Sequence, residues 1–378
     1  MAVHSIATAA LLAYLGFAQM AHAESATFAR SPEPGCETIS RSTDKALARG
    51  IDPVVDEALS RGFAGQVAII RNGTYVYSRA AGSADPGGEV PVRRSTLFHV
   101  ASISKYFTAT LVLYAVDTGM IELDDPVAPF FERADPEWQS VTFADLLAHT
   151  SGLGSSYVAE RHTDSRKALA AITRRELTPG DSDSFRYSND GYDLLGILVE
   201  RIFSGNYENV ARSHLLKPAC VSEAKFWSEA DLMDPVAVSQ PLKRIPRKLR
   251  KRRNYGMAAA LLISAEELAA WQHALRTGSV LSAEALQELH APRAEMRIGQ
   301  ASYGSFIVDV PGLGHTIRAL GYEDWGYNAM LSDFTECRYI VAVTTSRGPA
   351  ENSGLPPFRK SIMDGIERVL ATRCKAML

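Results

Sequence analysis

The sequence lacks the features that mark several common classes of protein. No apolar run is long enough to cross a bilayer. Gly-x-Ser-x-Gly, His-Glu-x-x-His and a glycine-rich phosphate loop are all absent, so three familiar catalytic signatures have no support here. The formal net charge is only −3, which gives no overall signal for binding nucleic acid or an anionic membrane. What remains is a globular chain of 378 residues, 46% hydrophobic, with room for a large buried core.

The N-terminal residues have the pattern of an export signal. An apolar stretch from Ile6 to Phe17 is too short to span a membrane, and Ala21-His22-Ala23 fits a small-x-small cleavage site before Glu24. The basic residues that usually precede the apolar stretch are missing. We predict a signal peptide over residues 1–23 and a mature protein that is periplasmic or secreted, with no integral membrane segment.

Cysteine is scarce: the chain has Cys36, Cys220, Cys337 and Cys374. Four cysteines in an exported protein permit two disulfides with three possible pairings, and none of the spacings resembles a zinc site. Because chain ends are often close in space, we favour Cys36 with Cys374. Free buried thiols are the alternative.

The hydrophobic pattern changes twice along the chain. Asn72-Gly73 separates two β-rich runs, which is the strongest short-range signal for a hairpin. From Ser102 to Leu289 the period is mostly helical, and strand patterns return after Ala301. We predict an α+β fold in which both chain ends form one antiparallel sheet, flanked by terminal helices and carrying a large helical insertion. The sheet region comprises residues 24–99 and 300–378, and the helical region residues 100–299. The first helix is predicted to begin at Asp52-Pro53, and the last helix is predicted to begin just after Pro356-Pro357.

A serine and a lysine stand three residues apart where a helix is predicted to begin. Ser102 and Lys105 would share one face of that helix, so the lysine amine can act as a base towards the serine hydroxyl. The helix start also offers unpaired N–H groups and partial positive charge, which suit a developing oxyanion. Taken alone, the pair also fits a helix cap beside an exposed lysine.

Two further stretches carry chemical groups. Tyr187 and Asn189 lie in the loop just before a predicted helix, and His315 and Thr316 begin a predicted strand. Each also has an ordinary explanation, namely packing, capping or an exposed strand position.

Taken together and in this order, the three motifs resemble those of the penicillin-recognising serine hydrolases. These comprise class C β-lactamases, DD-carboxypeptidases, D-amino-acid peptidases and β-lactamase-like esterases, with the motifs Ser-x-x-Lys, Tyr-x-Asn and Lys or His followed by Thr-Gly. The segment from Thr142 to Leu153 also resembles a family signature loop. The likeness covers roughly residues 50–370. It implies a β-lactamase/DD-peptidase-like fold and one serine hydrolase domain, without cofactor or metal, acting on a small-molecule or peptide substrate.

The resemblance and the side-chain chemistry together suggest roles. Ser102 would attack a carbonyl carbon and form an acyl-enzyme. Either Tyr187 as a phenolate between Lys105 and a protonated His315, or neutral Lys105, would take the serine proton. Asn189 and Thr316 would support Lys105 and the substrate. The N–H of Ser102 and, by resemblance, the backbone N–H of Arg318 would hold the oxyanion.

The third motif departs from the family pattern in two ways. Ile317 stands where the family places glycine, which permits close approach of the substrate. Histidine replaces lysine, which within the family is more typical of peptidases and esterases than of β-lactamases. We therefore expect hydrolysis of a small ester or a D-amino-acid peptide. The alternatives are a β-lactamase and a non-catalytic homologue that binds peptidoglycan.

One charged segment has no place in this scheme. From Lys243 to Arg253, eight of eleven residues are basic. A solvated loop is favoured because no aromatic residues are interleaved, and contact with a polyanion is the alternative. We expect no nucleic-acid partner.

Overall fold

The computed structural model describes residues 39–162, 164–178, 185–229, 257–296, 299–323, 326–348 and 358–375. The predicted signal peptide, Cys36 and the basic segment 243–253 lie outside these residues. No helix in the described part of the chain is both long enough and apolar enough to cross a membrane.

A nine-stranded sheet forms the centre of the structure, in the order β1-β3-β2-β12-β11-β10-β9-β8-β7. Its strands come from both ends of the chain, and every neighbouring pair is antiparallel except β1 with β3. The predicted α+β fold is therefore confirmed. The strands of the sheet are β1 (Ser40–Arg41), β2 (Gly65–Arg71), β3 (Thr74–Ala81), β7 (Ala294–Met296), β8 (Gly299–Ala301), β9 (Phe306–Val310), β10 (Gly314–Tyr322), β11 (Asn328–Phe334) and β12 (Tyr339–Thr345).

A second, three-stranded sheet lies in the helical region, in the order β4-β6-β5. It consists of β4 (Phe98–His99), β5 (Lys225–Phe226) and β6 (Leu261–Ile263). Because β4 ends just before Ser102, this small sheet ties the start of the next helix to the segment around residue 260.

Helices cover both faces of the large sheet. On one face the terminal helices α1 and α9 enclose an apolar core with β2, β11 and β12, and on the other face the helical region packs against the same strands. The helices are α1 (Lys45–Ser60), α2 (Ser104–Asp117), α3 (Phe143–Ala148), α4 (Ser165–Ile172), α5 (Asn189–Ile202), α6 (Tyr207–Ala211), α7 (Ala265–Arg276), α8 (Ala283–Leu289) and α9 (Phe358–Lys375).

The predicted β2–β3 hairpin is present, with Asn72 and Gly73 at φ +48° and +73° in its turn. These left-handed angles are the ones that an Asn-Gly turn accommodates. The first helix differs from the prediction, because α1 begins at Lys45 and contains Pro53. The side chain of Asp44 caps it by accepting bonds from the N–H groups of Ala46 and Leu47.

The cysteine pairing also differs from the prediction. Cys374 in α9 forms a disulfide with Cys337, which follows β11, and the two Cα atoms are 5.7 Å apart. The predicted Cys36–Cys374 pair is therefore wrong. The reason is that the turn between β11 and β12, which carries Cys337, lies beside α9. The general tendency of chain ends to lie close together did not predict this contact. Cys220 is also disulfide-bonded, so the alternative of free thiols does not hold for the three described cysteines.

Candidate active site

Ser102 and Lys105 meet at the start of α2. Ser102 lies in a single 3-10 turn, Ala101–Ile103, that runs directly into α2. Lys105 is only 2% exposed, and its Nζ donates to Ser102 Oγ at 3.1 Å and to the carbonyl of Ala258 at 3.2 Å. Just before Ser102, Ala101 has φ +49°, an uncommon backbone conformation for a residue with a Cβ. Such strain persists where surrounding contacts impose it, and it is frequent at functional sites.

Tyr187 lies over the Lys105 amine. Lys105 Nζ is 5.0 Å from the centre of the Tyr187 ring, which places the cation over the ring face. Ser188 fixes the loop that follows, because its side chain accepts the N–H of Gly191 and caps α5. The structure thus brings Ser102, Lys105 and Tyr187 to the wall of one cavity.

Asn189 is the first residue of α5. Its backbone N–H donates to Ser155 Oγ at 2.7 Å, and that hydroxyl donates to the carbonyl of Tyr187 at 3.2 Å. Lys105 makes its hydrogen bonds with Ser102 and Ala258 rather than with the Asn189 amide. Asn189 is therefore connected to the site indirectly, through Ser155 and the backbone of Tyr187.

Sequence reasoning missed His149 as a site residue. It lies in the segment 142–153 that carried the family resemblance, and no pattern there separated it from its neighbours. In the structure it follows α3, is 5% exposed and lines the cavity with Ser102 and Lys105. Burial, with a smaller contribution from the charge of Lys105, lowers the pKa of His149 to about 3.

His315 and Thr316 do not join this cluster. The side chain of His315 is 72% exposed, and its Nδ1 lies 2.7 Å from a carboxylate oxygen of Asp309. Thr316 is buried and donates to the carbonyl of Gly314 at 3.2 Å. Leu320 is the residue of β10 that lines the cavity, and five residues of strand place His315 about 17 Å from it. We expected His315 beside Lys105 and Tyr187; the structure places it on another part of the strand.

Gly321, and not residue 317, is the position of β10 that lies against the turn before Ser102. A Cβ built at Gly321 would lie 1.9 Å from the carbonyl oxygen of Val100, two residues before Ser102, so no side chain fits there. Ile317 instead packs, half-buried, against the core of the helical region. The close approach to the turn before Ser102 therefore lies four residues after Ile317, at Gly321.

Arg318 is enclosed within the sheet. Its guanidinium bonds Ser332 and Glu367 of α9, on the face opposite the helical region. Its backbone lies between Phe306 of β9 and Ser332 of β11, so the predicted oxyanion donor is not at the cavity.

Tyr322 is the last residue of β10, and the hydrogen bond next to it fixes the direction of its backbone N–H. The N–H of Glu323 bonds the carbonyl of Tyr327 on the β11 side, and bonding direction alternates along an antiparallel strand. The N–H of Tyr322 therefore points away from β11. On that side β9 pairs no further than Arg318, which leaves the edge of β10 from 319 to 322 next to the turn that holds Ser102.

The cavity is small and almost free of charge. Its accessible volume is about 20 Å³, enough for one water molecule. Opposite Lys105 it is lined by Ser302 and Ser305, both buried, whose hydroxyl oxygens are 2.7 Å apart. Among its described lining residues, Lys105 and His149 are the only basic side chains, and none is acidic.

Comparison with known proteins adds a family match to this geometry. A family model described as beta-lactamase matches residues 51–361. Protein flp from Staphylococcus aureus (strain MW2) is 28% identical over 187 residues, which are 47% of this chain and 38% of that protein. The putative penicillin-binding protein PbpX from Bacillus subtilis (strain 168) is 25% identical over 250 residues, 64% of this chain and 62% of its own length. The chain thus spans less than two thirds of either relative.

Solved structures show the same fold. The D-amino acid amidase from Ochrobactrum anthropi SV3, in complex with L-phenylalanine amide, superposes with a TM-score of 0.72. The match covers 88% of this chain and all of that chain at 20% sequence identity. At this identity the likeness extends to the fold alone.

Proposed function

The chain belongs to the beta-lactamase family, and from that premise we propose that it is a serine hydrolase that cleaves an ester or amide through an acyl intermediate on Ser102. The observation that carries the proposal is the 3.1 Å hydrogen bond between Lys105 Nζ and Ser102 Oγ beneath the ring of Tyr187. A buried lysine in direct contact with a serine supplies the base that a hydroxyl nucleophile needs.

In the first step neutral Lys105 accepts the proton of Ser102 as Oγ attacks the carbonyl carbon. The ammonium that forms keeps the carbonyl of Ala258 as an acceptor and the ring face of Tyr187 as a cation partner. Tyr187 then donates its phenolic proton to the leaving group and takes the proton held by Lys105. Water next attacks the acyl-serine while Lys105 accepts its proton, and Ser102 Oγ leaves with a proton returned through Tyr187, which releases the acid and restores the starting state. The alternative, with the Tyr187 phenolate as base, loses one of its two cations, because His315 lies about 17 Å along β10 from the cavity.

The negative charge that develops on the carbonyl oxygen needs two N–H donors. We assign these to the backbone of Ser102 and Tyr322, which flank the contact between Val100 and Gly321. Both donors are fixed by the backbone before substrate binds, so little reorganisation is needed during the reaction.

The proposed substrate is a small ester or a D-amino-acid peptide. The described lining of the cavity has one long basic side chain, Lys105, which is already bonded to Ser102 and Ala258, so none is free to bind a carboxylate. A β-lactam carries such a carboxylate, so β-lactamase activity is the less favoured alternative. Export to the periplasm or the medium stays a prediction that rests on residues 1–23.

The test is intact-protein mass spectrometry after treatment with a fluorophosphonate, followed by peptide mapping. We expect one adduct on Ser102 in the wild type and none in Ser102→Ala. A panel of p-nitrophenyl acetate, D-alanine amide and a chromogenic cephalosporin then sorts the substrate classes. A protein that stays unlabelled and inactive on all three would contradict the proposal.

The non-catalytic alternative loses the feature that supported it. Ile317 suggested a disabled site, but the structure has glycine at 321, where the backbone comes closest to the nucleophile turn. Polyanion binding through residues 243–253 stays a separate prediction, tested by the salt dependence of binding when Lys248 to Arg253 are neutralised.

A further inference from the structure

His149 has an uncommon backbone conformation for a residue with a side chain. It follows α3 with φ +62°, in the left-handed region, and it is almost completely buried. Asparagine and histidine enter this region more readily than most residues, yet it still costs energy when the side chain is buried. Contacts around His149 must therefore fix it there.

Those contacts lie on both sides of Tyr187. The N–H of Arg186 donates to the carbonyl of His149 at 2.8 Å, and the N–H of Ser188 donates to its Nδ1 at 3.1 Å. One residue thus accepts the two backbone N–H groups that flank Tyr187. The backbone on either side of the tyrosine is thereby tied to a single buried anchor.

The imidazole ring also packs against the tyrosine. The ring centres of His149 and Tyr187 are 4.6 Å apart, and those of His149 and Tyr192 are 4.9 Å apart. The Tyr192 hydroxyl in turn donates to the carbonyl of Leu147 at 2.8 Å. Tyr187 therefore packs against a histidine that is itself in ring contact with Tyr192, while Lys105 Nζ lies 5.0 Å from the Tyr187 ring centre.

The bond from Ser188 fixes the protonation state that His149 must have. A ring nitrogen that accepts an N–H carries no proton, so Nδ1 is bare and the proton of the neutral ring is on Nε2. A second proton on Nδ1 would break the bond and place positive charge near the Lys105 ammonium, which is the charged group that acts on His149.

We propose that His149, as the neutral Nε2–H tautomer, is the positioning residue that holds Tyr187 over Lys105 and Ser102. The inference rests on the proposed hydrolase function, since it assigns no bond-making step to His149 itself. The bond to Nδ1 and the ring packing are the features that perform the positioning.

Two substitutions of His149 distinguish the contribution of its Nδ1 acceptor from that of its ring packing. His149→Asn keeps an acceptor near Nδ1 and tolerates a positive φ, whereas His149→Phe keeps a ring but cannot accept the N–H of Ser188. We expect kcat on p-nitrophenyl acetate to fall about 10- to 100-fold in His149→Phe with KM nearly unchanged. His149→Asn should keep kcat within about fivefold of the wild type, as loss of ring packing alone displaces Tyr187 less.

His290 provides the matched control. It is a partly buried histidine, with its Nε2 in contact with the hydroxyl of Tyr106, and it is not among the described lining residues of the cavity. His290→Phe should lower the melting temperature without lowering kcat below the transition. Equal kcat losses in His149→Asn and His149→Phe, or an unchanged kcat in His149→Phe, would overturn the proposal.

A second measurement does not depend on activity or on the stability of a variant. In the wild type labelled with ¹⁵N-histidine, the signals lost in His149→Asn identify His149. We expect a bare Nδ1 and a protonated Nε2 that persist from pH 8 to pH 5. A protonated Nδ1, or titration near pH 6.5, would refute the positioning role even in an active enzyme. Absence of Ser102 labelling with the expected tautomer would instead refute the hydrolase proposal alone.

Discussion

The two ends of β10 have different tasks. At Gly321 the strand meets the turn that holds Ser102 so closely that no side chain fits between them. At His315 the same strand faces solvent and is held by the β11–β12 turn, where Thr335 donates to the carbonyl of His315 and the following Cys337 is bonded to Cys374. In this strand the position next to Ser102 is identified by how closely its backbone approaches the nucleophile turn. A side chain of suitable chemistry, such as that of His315, can lie elsewhere on the same strand and contribute only to the stability of the fold.

The largest effect is expected at the Gly321 end. In Gly321→Ala the new Cβ would overlap the carbonyl oxygen of Val100, so either β10 or the nucleophile turn must move. We expect kcat/KM on p-nitrophenyl acetate to fall by about 100-fold or more, as displacement by an ångström suffices for such a loss. The strain should also lower the free energy of unfolding by about 1–3 kcal/mol, measured by urea titration. Full activity in Gly321→Ala would show that the Gly321 end of β10 is no more important for catalysis than the His315 end.

The next effect belongs to the His315 end and concerns stability alone. The Cys337–Cys374 disulfide closes a loop of 37 residues. Replacing both cysteines by serine should lower the free energy of unfolding by about 2–4 kcal/mol. Since this disulfide lies away from the cavity, kcat measured well below the melting temperature should stay at the wild-type value. A large loss of kcat in the folded variant would show that this end takes part in catalysis.

A smaller effect follows from the buried state of His149. Burial lowers its pKa to about 3 from an unfolded value of 6.5, so between these values the unfolded chain binds a proton that the folded chain does not. Its contribution to folding stability is therefore lost as pH falls from 6.5 towards 3, at about 1.4 kcal/mol per pH unit. The free energy of unfolding of His149→Asn should depend less steeply on pH in this range, by about that amount. Equal slopes in the wild type and His149→Asn would contradict the assignment.

The smallest effects are expected for the two residues that the sequence pattern emphasised. His315→Ala removes an exposed contact with Asp309, and Ile317→Gly removes a half-buried side chain that packs against the core of the helical region. Both variants should keep kcat/KM within about twofold of the wild type, because surface and partly buried changes remote from a site seldom act on it. A tenfold change in kcat/KM in either variant would show that residues 315–317 take part in the site, as the sequence pattern suggested.

Local sequence rules predicted the parts of the site that local structure determines. Ser102 and Lys105 share a helix face through their spacing of three, and Tyr187 directly precedes Ser188, which caps α5. The β2–β3 hairpin and the strands at both chain ends follow equally from turn chemistry and period.

Local rules could not predict which residue of β10 lies next to Ser102, because that depends on tertiary contacts. Gly321 is needed because residue 100, more than two hundred positions earlier, approaches it, and nothing in the pattern around Gly321 records that approach. His149 was missed for the same reason, since its partners Arg186 and Ser188 are distant in the chain. The disulfide of Cys374 likewise depends on which turn lies beside α9.

The most direct test is the crystal structure of the protein after reaction with a fluorophosphonate. The account predicts a phosphonyl group on Ser102 Oγ whose oxygen accepts from the backbone N–H groups of Ser102 and Tyr322, at about 2.7–3.1 Å. A phosphonyl oxygen directed instead towards Arg318 or His315, or a phosphonyl group on a different residue, would contradict it.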